Sequence, residues 1–113
     1  MKQEVSKIAA KVAENTEDKV MVYIAGKVTG LKYDEVYAKF KKKQIELEEL
    51  GFFVLNPCDL VASDCKWQLA MKISVIALAC ARYVCLLPDW HDSDGATVER
   101  ALAMKLGLGV IQD

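Results

Sequence analysis

The chain has 113 residues, 15 basic and 16 acidic side chains and a formal net charge of −1. One compact domain accounts for that length, and a hydrophobic content of 53% is enough for a core without metal or disulfide staples. The charge balance excludes general nucleic-acid binding, which depends on a basic surface.

Val5, Ile8, Ala9 and Val12 recur at helical spacing, so residues 2–14 read as a short amphipathic helix ended by Asn15-Thr16-Glu17-Asp18. This helix forms an N-terminal extension, residues 1–19, of a single domain over 1–113. Its apolar stripe needs a partner, either the same domain or a second protomer. Val20 to Ala25 is a short β-rich run ending in Gly26. Asp34 is the expected N-cap of a long helix that Gly51 terminates. Lys39 to Lys43, interrupted by Phe40 and balanced by Glu46, Glu48 and Glu49, reads as a solvated face of that helix.

Phe52 to Leu55 is a second buried strand, stopped by Asn56-Pro57. After an irregular stretch from Cys58 to Asp64, residues 66–80 read as a third helix, and Tyr83 to Leu87 as a third strand ended by Pro88. A polar loop, Asp89 to Gly95, leads to a helix from about Ala96 to Leu106. Gly107 ends it, and Leu108 to Ile111 is the last strand.

Strands alternating with helices imply a parallel sheet joined by right-handed crossovers. The strands are near-continuous apolar runs, as expected when both faces are covered. The expected fold is a small doubly wound α/β sandwich of three layers, Rossmann-like or flavodoxin-like, with a parallel sheet of about four strands. Ligands of such sheets bind outside the carboxyl ends of the strands, where strand order reverses. That rule selects three loops: Gly26–Lys32, Asn56–Leu60 and Pro88–Gly95.

The first loop reads Gly26-Lys27-Val28-Thr29-Gly30. Its glycines admit a ligand to the backbone, Thr29 offers a hydroxyl, and Lys27 or Lys32 a cation for phosphate. It is neither a Walker loop nor a G-x-G-x-x-G fingerprint, and a plain strand-to-helix turn explains it equally well. In the third loop, Ser93, Asp94 and Gly95 open a helix whose first N–H groups attract an anion. At about 100° per residue, Glu99 lies only ~60° from Leu102, the centre of an expected apolar stripe of Val98, Ala101, Leu102 and Leu106. A carboxylate there is either catalytic or a partner for the helix dipole. Trp90 either stacks on a base or shields the core edge.

Asp89, Asp92 and Asp94 beside His91 lack the remainder of an EF-hand loop. Cys58, Cys65, Cys80 and Cys85 form no C-x-x-C pair, and Cys80 and Cys85 read as small core residues. No metal and no cofactor is expected. The N-terminus has no hydrophobic signal core. The longest apolar run, Ile73 to Ala81, is short of the ~20 residues that span a bilayer. A cytoplasmic protein with no membrane partner is expected.

Tyr23-Ile24-Ala25-Gly26-Lys27-Val28-Thr29-Gly30, then Asn56-Pro57, then Leu86 to Glu99 (LLPDWHDSDGATVE) resemble the DUF4406 family over roughly residues 21–112. That family is similar to the nucleoside 2-deoxyribosyltransferases and the deoxynucleoside 5′-monophosphate N-glycosidases. The resemblance implies a retaining, two-step reaction in which a glutamate attacks the anomeric carbon of a 2′-deoxynucleoside or deoxynucleotide and expels the base. The covalent sugar then passes to another base or to water.

On that resemblance Glu99 is the nucleophile, through Ser93, Gly95 and Glu99, and Tyr23 supports it. Gly26, Lys27, Thr29 and Gly30 form the phosphate and sugar loop, and Ser93 touches the 5′-phosphate. Gly95, Asp89 and Trp90 lie in the same third loop, and Asn56 stands beside the pocket. The resemblance also implies a homodimer or higher homo-oligomer, with a small-molecule nucleoside or nucleotide as partner.

Two positions depart from the transferase pattern. The aspartate that handles the leaving base's proton falls on Ser74, and a second aspartate falls on Arg82. Losing a proton donor costs ~10²–10⁴-fold. The sequence therefore supports either a deoxyribosyl-transferring or hydrolysing enzyme, or a weakly active or inactive nucleotide-binding module of the same fold.

Overall fold

A computed structural model describes residues 1–112. Four strands, β1 (Met21–Ala25), β2 (Phe53–Leu55), β3 (Tyr83–Leu86) and β4 (Gly109–Gln112), form one sheet in the order β2-β1-β3-β4. Every pairing is parallel. Five α-helices connect or flank them: α1 (Lys2–Ala13), α2 (Tyr33–Glu49), α3 (Pro57–Leu60), α4 (Trp67–Cys80) and α5 (Asp94–Lys105). This is the small three-layer α/β sandwich expected from the sequence.

The two-residue period of β1 divides the core. Val22 and Ile24 point to one face, where Val36, Phe40 and Leu47 of α2 cover them. Tyr23 and Ala25 point to the other, among Ile73, Ala77 and Leu78 of α4 and Ala96 and Ala103 of α5. The chain runs from β1 outward to β2, then returns past β1 to β3 and β4. The loops leaving β1 and β3 therefore diverge, and a crevice opens at their carboxyl ends.

Gly51 adopts a φ of +96°, and behind it the Phe52 N–H donates to Leu47 O at 3.1 Å. This left-handed cap turns the chain from α2 into β2. At its other end, α2 begins at Tyr33 after Lys32, with no side-chain cap, so Asp34 sits inside the first turn instead of capping it. There it still meets the positive end of the helix dipole.

Three other expectations change. The stretch after Asn56-Pro57 is not wholly irregular: α3 forms there because Pro57 suits a first helical position and Asn56 Oδ1 accepts from the Cys58 N–H at 2.9 Å. The buried face of α5 is Ala96, Glu99 and Ala103, whereas Val98 and Leu106 of the expected stripe are exposed. Small alanines let this helix approach the sheet, and hydrophobicity alone pointed to the wrong face. Cys80 is exposed at the end of α4, while Cys85 is buried in β3.

Helix α1 packs on α4 of its own domain. Ile8 is buried and Val12 half-buried against that core, whereas Val5 and Ala9 are exposed. Among the described residues no helix is long and apolar enough to cross a membrane.

Candidate functional site

Tyr23 sits in the middle of β1, in register with Leu55 and Val84. Its ring points to the α5 side, and its hydroxyl donates to Glu99 Oε2 at 2.5 Å. Two residues 76 apart in sequence are thus joined because β1 and α5 pack face to face. Ser93 starts α5 by accepting from the Ala96 N–H at 3.1 Å. Glu99 follows within two turns, on the helix face that meets the sheet.

Only 5% of Glu99 is exposed. Burial pushes its carboxyl up to about 7 from an ordinary 4.5, and the hydrogen bond from Tyr23 offsets part of the rise. The Tyr23 phenol is held well above its ordinary value, first by burial and then by the charge of Glu99. A hydrogen bond with Ser74 works in the opposite direction. The trio is therefore a buried carboxylic acid that ionises near neutral pH, a phenol that stays protonated and donates, and a serine hydroxyl behind the phenol.

These three groups line a cavity of about 440 Å³. The first loop supplies Gly26, Thr29 and Gly30 to its wall, the start of α5 supplies Ser93 and Gly95, and α4 supplies Trp67, Met71 and Ser74. The mouth is apolar: Val28, Leu31, Tyr33 and Trp67 line the cavity and are each more than a third exposed. Gly26 has no room for a side chain, because a Cβ there would lie 2.5 Å from Leu87 Cδ1. Close packing of the first loop on the end of β3 needs glycine at this point.

Lys27 does not line this cavity. It borders an adjoining depression shared with Thr29, Ser93 and Gly95, where its ammonium pairs with Asp92 at 2.7 Å. Asp89 is likewise outside the main cavity and acts as a clasp. Its carboxylate accepts from the Lys27 N–H at 3.1 Å and from Lys39 Nζ at 2.6 Å, and Lys39 also donates to Lys27 O at 2.7 Å. Burial raises the Asp89 carboxyl, but these donors outweigh it and hold it below its ordinary value.

Two further candidates lie elsewhere. Asn56 is buried and committed, donating to Gln44 Oε1 at 3.0 Å while it caps α3. Trp90 packs against the core, with the Arg100 guanidinium 5.0 Å from its ring centre. Neither lines the cavity. Arg82 is exposed before β3, at the amino end of the sheet away from the crevice, and Asp59 and Asp64 are also outside the wall. Ser74 is inside it.

The sequence reading missed Lys39, taken as part of a solvated run, and the contributions of Tyr33, Cys58, Trp67 and Met71. A signal existed on α4. Trp67, Ala70, Met71 and Ser74 recur at i, i+3, i+4 and i+7, one helical face, and all four line the cavity.

The profile of a domain of unknown function, DUF4406, matches residues 20–112. The chain belongs to the DUF4406 family. Its matched segment contains every strand and every wall residue of the cavity, and only α1 and the turn after it lie outside. No curated protein matches the chain.

Proposed function

We propose that this DUF4406 protein cleaves, or transfers across, the N-glycosidic bond of a 2′-deoxynucleoside or deoxynucleotide, with Glu99 as the nucleophile. The observation that carries the reading is the buried Glu99–Tyr23 pair facing a cavity large enough for a nucleoside. Displacement at an anomeric carbon needs an ionised carboxylate with one oxygen held and the other available. Tyr23 holds Oε2, and burial makes the ionised form of Glu99 a strong nucleophile at neutral pH.

In the first step Glu99 forms a bond to C1′ as the C1′–N bond breaks, giving a glycosyl ester and the departing base. In the second, water or another base attacks C1′ and the carboxylate leaves with its electron pair. The Ser93–Gly95 turn at the start of α5 suits a 5′-phosphate, whose charge the helix N-terminus favours.

A second reading is favoured by one residue. Ser74, beside the Tyr23 hydroxyl, is a hydroxyl where the resemblance expects a proton-donating aspartate. A nucleotide-binding module of the same fold would retain the cavity and bind without turnover.

The test is chromatography of base released from 2′-deoxynucleosides and their 5′-monophosphates, with and without a second free base, beside a Glu99→Gln variant. Release that disappears in the variant supports the enzyme. Release that persists in it removes Glu99 from the reaction. Ligand-dependent thermal stabilisation without any release supports the binding module.

A further inference from the structure

We propose that the base expelled from this cavity is already cationic before the bond breaks, so that the preferred substrate is an N-glycoside of a quaternised heteroaromatic base. The inference rests on the glycosidic reading above and concerns which bases that site accepts.

A neutral purine or pyrimidine leaves with the bonding electron pair and becomes an anion unless it is protonated as it departs. Among the described residues lining the cavity, Glu99 is the one carboxyl, and the displacement uses it as the nucleophile. The other proton carriers there are poor acids at neutral pH. Burial and the charge of Asp59 push the Cys58 thiol up to about 11, and burial raises Tyr33. Ser63 and Ser74 offer hydroxyls, which are weaker acids still.

The same wall suits a cation well. No lysine, arginine or histidine lines it among the described residues, so an ionised Glu99 is its only charge. A positive base neutralises that buried carboxylate and favours the ionised, attacking form. Tyr33 and Trp67 at the mouth offer aromatic faces that attract heteroaromatic cations.

The electron count closes without an acid. Glu99 forms its bond to C1′, and the C1′–N pair moves to the base nitrogen and cancels the base's positive charge. A neutral base departs. Water then displaces the carboxylate from C1′, and one proton is released to solvent for each free sugar formed.

The experiment compares N7-methyl-2′-deoxyguanosine with 2′-deoxyguanosine, each with and without a 5′-phosphate, after subtraction of enzyme-free release. The wild type is assayed beside Glu99→Gln, with circular dichroism to verify folding. The expected result is Glu99-dependent release from the methylated substrate with kcat/KM about 100-fold or more above the unmodified one, the range that a general acid otherwise supplies. Release from the methylated substrate then rises with pH as Glu99 ionises, whereas release from the unmodified one, which needs an ionised Glu99 and a protonated base together, shows no such rise and falls in alkaline solution.

Equal kcat/KM for the two, with parallel pH profiles, overturns the cationic-base proposal and leaves the glycosidic reading standing. Absence of Glu99-dependent release from either substrate overturns the glycosidic reading, and this proposal with it. Tyr33→Leu, at a half-exposed position, supplies a second check. It should raise KM for the methylated substrate by a larger factor than KM for the unmodified one, and an equal effect on both counts against the proposal.

Discussion

Glu99 gives the fold a pH dependence that can be worked from its surroundings. Its carboxyl is pushed from an ordinary 4.5 to about 7 by burial, against the pull of Tyr23. A raised carboxyl favours the folded state only while protonated, so this contribution is complete below about pH 4.5 and is lost as pH rises through 7. The gap of 2.5 between the two values, at ~1.36 kcal/mol for each, corresponds to about 3 kcal/mol of stability lost in alkaline solution. Glu99→Gln removes the titration while preserving the shape of the side chain. Urea unfolding of both proteins at pH 5 and pH 8.5 isolates the effect, because all other groups cancel between them. The wild type should lose about 2–3 kcal/mol more than the variant across that range, because part of the loss has already occurred by pH 5, or roughly 10 °C in melting temperature. Parallel losses in the two proteins would refute the claim that Glu99 pays for burial when it ionises.

Tyr23→Phe withdraws the hydrogen bond that lowers Glu99, so the acidic limb of any Glu99-dependent rate should move to higher pH; an unmoved limb in the pH–rate profile would disconnect the pair. Lys39→Met removes both of that lysine's contacts to the loop clasp, and amide exchange at Lys27 and Val28 should accelerate, with a stability loss of about 1 kcal/mol as for a partly exposed ion pair. Asn56→Ala strips the cap from α3 and leaves Gln44 Oε1 without its donor, so chemical denaturation should show a loss of about 1–2 kcal/mol, whereas Glu99-dependent turnover per folded molecule should be unchanged.

The fold was legible because its strands are continuous apolar runs bounded by Gly26, Gly51, Asn56-Pro57 and Pro88, so propensity and tertiary demand agree. The disagreements come where packing overrides hydrophobicity. Helix α5 turns Ala96, Glu99 and Ala103 inward and leaves Val98 and Leu106 outside, because a helix packed closely on the sheet requires small residues there. Lys39 was hidden for a different reason. Its sequence neighbours form a charge run, and its partners Asp89 and Lys27 are 50 and 12 residues distant. Asn56 and Trp90 sit at the right loops, but both side chains turn into packing. Loop position fixes where a backbone lies and leaves side-chain direction to tertiary contacts.

Under the proposed function, the inward face of α5 couples stability to chemistry in this domain. An ionised carboxylate in a small core is costly, and Ala or Gln at position 99 would remove that cost. What the carboxylate retains in exchange is basicity: a group that ionises near 7 attacks carbon more readily than one that ionises at 4.5, provided an appreciable fraction is charged at working pH. Tyr23 sets that compromise. By donating to Oε2 it lowers the carboxyl from where burial alone would hold it and so favours the ionised form, and its own phenol stays protonated because it is fully buried beside a negative charge. A cation in the cavity would shift the balance further toward the ionised form, so that the substrate itself would arm the nucleophile. On this argument the resting protein is most stable with Glu99 protonated, and the charged form is populated most fully when the cavity is occupied.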